Sequence, residues 1–367
     1  MPSVLSLSGN RITENPQNRE IGALLNHSSP ITSLYFPTRS KLLSSSEDNS
    51  IAISRTKDLT TISTVKSPRP KALGQPSGDT APQGIVPAGV NDFAVHPSMK
   101  LMVSVSKGER CMRLWNLVTG KKAGVLNFAH EILESVKEGK YSHGEGRRIE
   151  WSTTGSEFAV AFEKGVVVFG EDSKPKCRLL PQPLTKVHQM GYKRFGSAME
   201  NGDDILAVST EDGRILFYST NRSKIQDGYS DAPCGTSIPD ATLLARLSGR
   251  DSGVSGRIKD FEVIALPASE EHDSISYIIT ASSDGSIRIW QFKLEDIFGK
   301  NSERNSQDQV AQIGKLIGMY ETGSRITCLK AFLMRPPGPE EGLSEYEGLT
   351  EDEEDVSSSD DSLGSDK

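Results

Sequence analysis

The 367-residue chain has no run of about 18 apolar residues, which excludes a membrane-spanning helix. Its first residues, MPSVLSLSGNR, lack a basic start and a long apolar stretch, so no secretory signal is read there. Cys111, Cys177, Cys234 and Cys328 are scattered, with no C-x-x-C pair. That argues against a zinc ribbon or a disulfide framework and fits inert thiols in a reducing compartment. His130-Glu131 has no second His four residues on, so the helical metalloprotease motif is missing. Thr119-Gly120-Lys121 lacks the upstream Gly and the following Ser/Thr of a phosphate loop. His96-Pro97 reads as a turn rather than a catalytic base. No Ser/His/Asp or paired-carboxylate set stands out. Neither an enzyme nor a cofactor is expected.

What is present is a hydrophobic content of 35% and a mean hydropathy of -0.41, suited to a soluble protein. The net charge of -7 conceals an asymmetry. Residues 340–367 hold 12 acids and one lysine, a local charge of -11, so the rest of the chain carries +4.

Residues 278–290, IITASSDGSIRIW, read as strand, tight turn and strand. Ser282-Ser283-Asp284-Gly285 is turn chemistry, and Ile287 and Ile289 alternate with Ser286, Arg288 and Trp290. The unit recurs at a fixed offset. An acidic turn residue is followed six positions later by the last bulky position of a strand: Asp284 and Trp290, Asp212 and Tyr218, Glu163 and Phe169, Glu109 and Trp115. Asp48 stands six before Ser54, a fifth and degenerate case. Such a chain is an array, and the fold class expected is all-β.

In chain order, residues 1–20 show little regular pattern. Residues 21–25 read as an isolated outer strand. Four-stranded units come next, at about 31–66, 90–126, 147–182, 186–247 and 257–321. Residues 67–89 form a Pro/Gly-rich insertion that cannot bury a core. Residues 128–141 read as a short helix or a long loop. ITCL at 326–329 matches ITSL at 31–34, which predicts a lone inner strand at 325–334. Residues 335–367 read as a disordered, acidic, Ser-rich tail.

These hairpins resemble the WD-repeat β-propeller family. Trp115 and Trp290 stand where that family has its Trp-Asp pair, but Asn116 and Gln291 follow them. GVNDFAVHPSMKLMVSVSKGERCMRLWNLVTGKKAGVL (89–126), IGALLNHSSPITSLYF (21–36), RRIEWSTTGSEFAVAF (147–162) and SRITCLKAFL (324–333) are similar to the PAK-interacting-protein/maintenance-of-killer WD-repeat family. The resemblance implies a seven-bladed propeller acting as a nuclear and nucleolar assembly factor for the large ribosomal subunit. Its partners would be pre-ribosomal proteins and pre-rRNA. Animal members are also described as negative regulators of a p21-activated kinase. Three departures stand out. About five complete units are found, so either the ring closes with few blades or an N-terminal segment is missing. The tail is acidic where some relatives have lysines. Ser54-Arg55 occupies a Trp-Asp position.

The residues singled out read first as structural. Trp115 and Trp290 need indole hydrogen-bond partners, and turn acids satisfy backbone amides. His27 would belong to the family's Asp–His–Ser–Trp network, left incomplete by the absent Trp. Ser357 and Ser358 each precede an Asp by three residues, which suits phosphorylation by an acid-directed kinase. The tail is then either a solvated segment or a docking strip for basic partners. The +4 body suggests phosphate contacts from Arg147, Arg148, Lys193 and Arg194. Two function classes result: a ribosome-assembly scaffold, and an adaptor for a p21-activated kinase.

Overall fold

The computed structural model describes residues 5–8, 11–14, 26–68, 89–139, 142–194, 204–221, 238–249, 254, 256–265, 275–298 and 310–332. The chain divides into two units, residues 1–331 and 332–367, and the first carries the fold. The strand expected at 21–25, most of the 67–89 insertion, and the acidic tail with Ser357 and Ser358 lie outside the described residues.

Where the sequence shows little pattern, β1 (Leu5–Ser8) and β2 (Arg11–Glu14) pair as an antiparallel hairpin. Five four-stranded antiparallel meanders come after it. The first is β3 (Ile31–Thr38), β4 (Lys41–Ser46), β5 (Ser50–Arg55) and β6 (Thr61–Lys66). The second is β7 (Val90–Val95), β8 (Leu101–Ser106), β9 (Cys111–Asn116) and β10 (Lys121–Asn127). Helix α1 (His130–Ser135) comes next and buries Ile132 and Leu133. The third meander is β11 (Arg148–Trp151), β12 (Glu157–Ala161), β13 (Val166–Gly170) and β14 (Pro175–Leu179). The fourth is β15 (Val187–Arg194), β16 (Asp204–Thr210), β17 (Arg214–Ser219) and β18 (Thr242–Ser248). The fifth opens with β19 (Ile258–Ala265), β20 (Ile275–Ser282) and β21 (Ser286–Lys293). After α2 (Leu294–Phe298) and β22 (Ala311–Ile313), β23 (Lys315–Glu321) completes it.

The result is an all-β, five-bladed propeller arrangement. Its physical signature is the way the core divides. Four apolar clusters lie in succession, each shared by two neighbouring sheets. The pleat explains this, because alternate residues of one strand face opposite sheets. Along β12, Phe158 and Val160 pack toward the second blade, while Ala159 and Ala161 pack toward the fourth. The two end sheets show apolar side chains instead: Leu34 and Phe36 on β3, Leu316 and Met319 on β23.

Two features were not legible in the sequence. Strand β22 leaves its own blade and pairs in parallel with β18, Ala245 opposite Ala311, so the fourth sheet gains a fifth strand. This strap buries Ile313 against the fourth and fifth blades. The second feature is a correction. Residues 325–332 are not a strand. Leu329 and Lys330 still lie beside β19, where the Leu329 N–H donates to Asp260 Oδ2 at 2.8 Å. No following strand pairs with this segment among the described residues, so it has the position of an inner strand without the ladder.

The Asp284 turn tests how tightly the meander is closed. Gly285 has φ +87°, and a Cβ there would sit 2.7 Å from the Ser324 carbonyl oxygen. Gly120 has φ +65° with nothing within 4 Å. Gly120→Ala is expected to cost about 1 kcal/mol, the left-handed penalty alone. Gly285→Ala should cost distinctly more in urea unfolding. Equal losses would show that the Ser324 contact is not a constraint.

Candidate functional site

Because the strands alternate in direction, the second-to-third-strand turns and the connections between sheets share one end, here called the upper end. All five predicted turn acids lie there, and each is answered by a basic side chain. Asp48 Oδ2 meets His27 Nδ1 at 3.1 Å, and His27 Nε2 reaches Ser44 Oγ at 2.8 Å. The buried Glu109 takes a bidentate guanidinium from Arg113, Nη2 to Oε1 at 2.9 Å, and Arg113 is fully buried. Glu163 pairs with Lys186 at 2.7 Å, Asp212 with Arg214 at 2.6 Å, and Asp284 with Arg288 at 3.3 Å. The Lys186 ammonium holds the Glu163 carboxyl below its usual range. Burial works against Asp48, Asp212 and Asp284, but hydrogen bonds outweigh it and all three are lowered. The donors include Ser50 for Asp48, Arg214 for Asp212 and Ser286 for Asp284.

The bulky positions obey a matching rule. Trp115 Nε1 donates to Ser104 Oγ at 2.9 Å, and Trp290 Nε1 to Thr280 Oγ1 at 3.3 Å. Strand register puts Val160 and Val208 at the equivalent positions in the third and fourth blades. There the bulky residues are Phe169 and Tyr218, with no indole to satisfy. Ser54 holds the slot in the first blade and accepts from Asn26 Nδ2 at 2.7 Å. The Asp48–His27–Ser44 chain therefore forms without a Trp.

The inner strands can be aligned by the same register. Four of them carry a bulge near their start, between Ile31/Ser33, Val90/Asp92, Val187/Met190 and Ile258/Asp260. Bulges re-aim side chains. Just below the bulge, Ser33, Asp92, Arg148, Gln189 and Asp260 share one level. Asp92 Oδ2 accepts the Ile149 N–H of the next blade at 3.1 Å, and Ser33 bonds it from the previous one. Asp260 accepts Gln189 Nε2 at 3.1 Å and the Leu329 N–H. Each aspartate thus links the elements on both sides of it. Burial raises both carboxyls against these bonds.

One level lower, Glu150 and Glu262 project toward the axis. Glu262 is clamped by Lys193 at 2.6 Å and Lys330 at 3.0 Å. Burial raises the Glu262 carboxyl but the two ammonium groups bring it below its usual range. Glu150 accepts no comparable clamp. Its carboxyl is open to the axial space yet surrounded by protein, and desolvation with Asp92 pushes it up to about 7.

At the bulge level itself the charge is reversed. Arg147, His188 and Lys259 succeed one another on consecutive elements, with Arg257 and Arg325 just above. Burial, then Lys259, pushes His188 down to about 4, and Arg257 and Arg147 add to the shift against Glu211. Burial, then Arg257 and Arg325, lowers Lys259. Glu163 lies 4.0 Å from Arg147 and Glu211 lies 3.2 Å from Arg257. Among the described residues, Lys259 and Arg325 have no carboxylate partner. Beside this mouth, a cleft of about 240 Å³ is lined by Glu138, Ser142, His143, Glu145, Arg147 and Glu163. Its carboxylates are in use: Glu138 accepts the Glu163 N–H at 2.7 Å, and Glu145 accepts the Gly108 N–H at 2.5 Å.

The four basic residues expected to contact phosphate do not form one patch. Arg148 opens β11 at the upper end with Arg147 just before it, whereas Lys193 and Arg194 finish β15 at the lower end. Arg148 faces Asp92 at 3.9 Å, and Lys193 is held by Glu262. Sequence reasoning missed His188, Lys259 and Arg325. The matching strings VNDF and IKDF were the available signal, since they set the bulge register.

Comparison with known proteins agrees with this architecture. The WD domain, G-beta repeat family matches residues 18–53 and 270–291. The chain is 25% identical over 314 residues to the p21-activated protein kinase-interacting protein 1-like of Gallus gallus, covering 86% of this chain and 63% of that protein. It is 27% identical over 339 residues to Protein MAK11 of Saccharomyces cerevisiae, covering 87% and 66%. It is 24% identical over 245 residues to Shk1 kinase-binding protein 15 of Schizosaccharomyces pombe, covering 67% and 49%. The chain thus spans about half to two-thirds of the length of these relatives. It carries WD-repeat matches in a propeller arrangement and is similar over most of its length to proteins that include ones named for binding a kinase.

The charged positions lead to two measurable expectations. Removing one partner of a buried ion pair costs about 3–5 kcal/mol, because the other charge stays buried. Glu109→Gln should therefore destabilise strongly, while the double change Glu109→Leu with Arg113→Met should lose much less. Additive losses in urea unfolding would contradict this. Glu150 has the opposite sign. A carboxyl raised in the folded state favours folding at low pH, and that contribution is lost as pH rises from about 4.3 through about 7. Glu150→Gln should gain stability over the parent between pH 5 and pH 8. A difference that stays flat with pH would refute the shift.

Proposed function

We propose that the chain is a non-enzymatic WD-repeat scaffold in assembly of the large ribosomal subunit and its rRNA processing, resident in the nucleus and nucleolus. One observation carries the scaffold reading: the acids of the five upper turns are each held by a basic side chain, so the blades form a braced framework. Rigid frameworks that present loops are suited to bringing several macromolecules together. The likeness to Protein MAK11 and to the assembly-factor family supports the ribosomal setting. Pre-ribosomal proteins are the partners proposed, with pre-rRNA phosphates met at the upper end by Arg147.

A second reading is favoured by the names of other relatives. Proteins named for interacting with a p21-activated kinase and with the Shk1 kinase suggest an adaptor that binds and restrains such a kinase. Affinity purification of the full tagged chain from cells separates the two. Co-purification of large-subunit precursor particles is the expected result. A stoichiometric kinase without those particles would replace the first reading with the second. If phosphates contribute, particle association should fall steeply with added salt, since each phosphate contact releases counterions. Salt-independent association would rule those contacts out.

A further inference from the structure

The first-to-second and third-to-fourth strand turns of each blade lie at the lower end. In the first blade these turns and the strand ends beside them carry Arg39 and Lys41, then Arg55 and Lys57. In the second blade they carry Lys100, then Lys121 and Lys122. The turns of each blade are joined. The Thr56 N–H donates to the Ser40 carbonyl at 2.9 Å, and the Leu117 N–H to the Lys100 carbonyl at 2.8 Å. Leu117 also packs on the apolar cluster that contains Leu43 and includes Ile53 at its margin, both from the first blade. The two blade tips therefore stand side by side.

Their charge is one-sided. Residues 37–41, 55–60, 96–100 and 116–122 hold seven cations and one acid. That acid, Asp58, lies 3.5 Å from Arg55. Among the described residues the other six cations have no carboxylate partner. All seven are exposed except the half-buried Lys41. The surplus of +6 exceeds the +4 of residues 1–339 as a whole, so the remainder of that body is -2. The basic surface stops at the third blade, where the turn between β13 and β14 brings Glu171 and Asp172.

We propose that the lower tips of the first two blades form an RNA-binding surface that grips the sugar–phosphate backbone without reading base sequence. The proposal rests on the scaffold reading and places its RNA partner at the end opposite Arg147.

The layout suits a polyphosphate strand. The cations spread across two adjacent blades, and nucleic-acid affinity grows with the number of phosphates neutralised along a backbone. Five of the seven are lysines, which are depleted from the cores of protein–protein interfaces but are common phosphate contacts. Ser40 and Thr119 stand among them, and hydroxyls also meet phosphate oxygens. The four turns contain no Phe, Trp or Tyr. Bases therefore find no stacking platform there, which leaves the backbone as the group recognised. A lipid surface would likewise find no aromatic anchor, only the single apolar side chains of Met99 and Val118. RNA rather than DNA follows from the scaffold reading.

The test uses the full chain and fluorescence anisotropy at a series of salt concentrations. The probes are a random-sequence RNA stem-loop, the same stem-loop in DNA, poly-glutamate, and phosphatidylserine vesicles as competitor. The expected result is saturable, salt-sensitive RNA binding that does not depend on base sequence and is at least as tight as DNA binding. Lys100→Ala, Lys121→Ala and Lys122→Ala combined should weaken it about tenfold or more and lower the slope of log affinity against log salt by about 2 to 3. Arg39→Ala with Lys57→Ala tests the first blade independently, should the triple variant fail to fold. Lys107→Ala, Lys137→Ala and Lys174→Ala combined remove the same charge from exposed positions outside the surface and should have little effect. Equal losses in the two triple variants would overturn the proposal, because net charge alone would then explain them. Unchanged affinity in the lower-end variants, or no RNA binding by the parent chain, would do the same. Tighter binding of DNA or poly-glutamate, or displacement of RNA by the vesicles, would replace RNA with that partner. Absence of large-subunit particles from the cell purification would remove the scaffold reading and leave these binding data standing.

Discussion

A carboxylate placed where water is scarce must be answered by a donor, and that requirement organises this protein. Five turns are closed by an acid, and two inner strands carry an aspartate into the seam between blades. The turn acids fix the second and third strands of each sheet. The seam aspartates fix one sheet against the next. Apolar clusters supply most of the driving force, but they are non-directional. The carboxylates add direction: Asp92 must find the Ile149 amide, and Asp260 must find the amide of Leu329.

The repeat was legible because it is local. An acid six residues before a bulky residue can be seen in one dimension, and it located the turns at Asp48, Glu109, Glu163, Asp212 and Asp284. Apart from His27, which the family's Asp–His–Ser–Trp network implied, the answering groups were not legible because their places differ from turn to turn. His27 precedes the first blade, Arg113 and Arg288 sit four residues after their acids, and Lys186 opens the following blade. The hydroxyls at Ser104 and Thr280 were hidden for the same reason, since their indole partners lie across a strand. The string ITCL suggested a strand because its twin ITSL is one. The two differ in their pairing: β3 is laddered by β4, while residues 325–332 have only a flank to lie against.

The same ordering of charge shapes the proposed function. Moving along the axis, a level with the cations Arg147 and Lys259 on either side of the neutral His188 gives way to the aspartate level and then to Glu150 and Glu262. Each level is set by strand register, so the polarity is built in as soon as the blades assemble. A propeller with such an axis has two chemically different ends. Two such ends suit the scaffold role proposed above.

The central claim is that buried carboxylates tie inner elements to their neighbours at two places, one of them involving a segment that is not a strand. Amide hydrogen exchange of the unmodified full chain addresses it directly. The Leu329 amide is predicted to be protected to a degree comparable with Ile149, despite having no strand partner. Exchange of residues 325–332 at the rate of free chain, beside a protected β19, would contradict it.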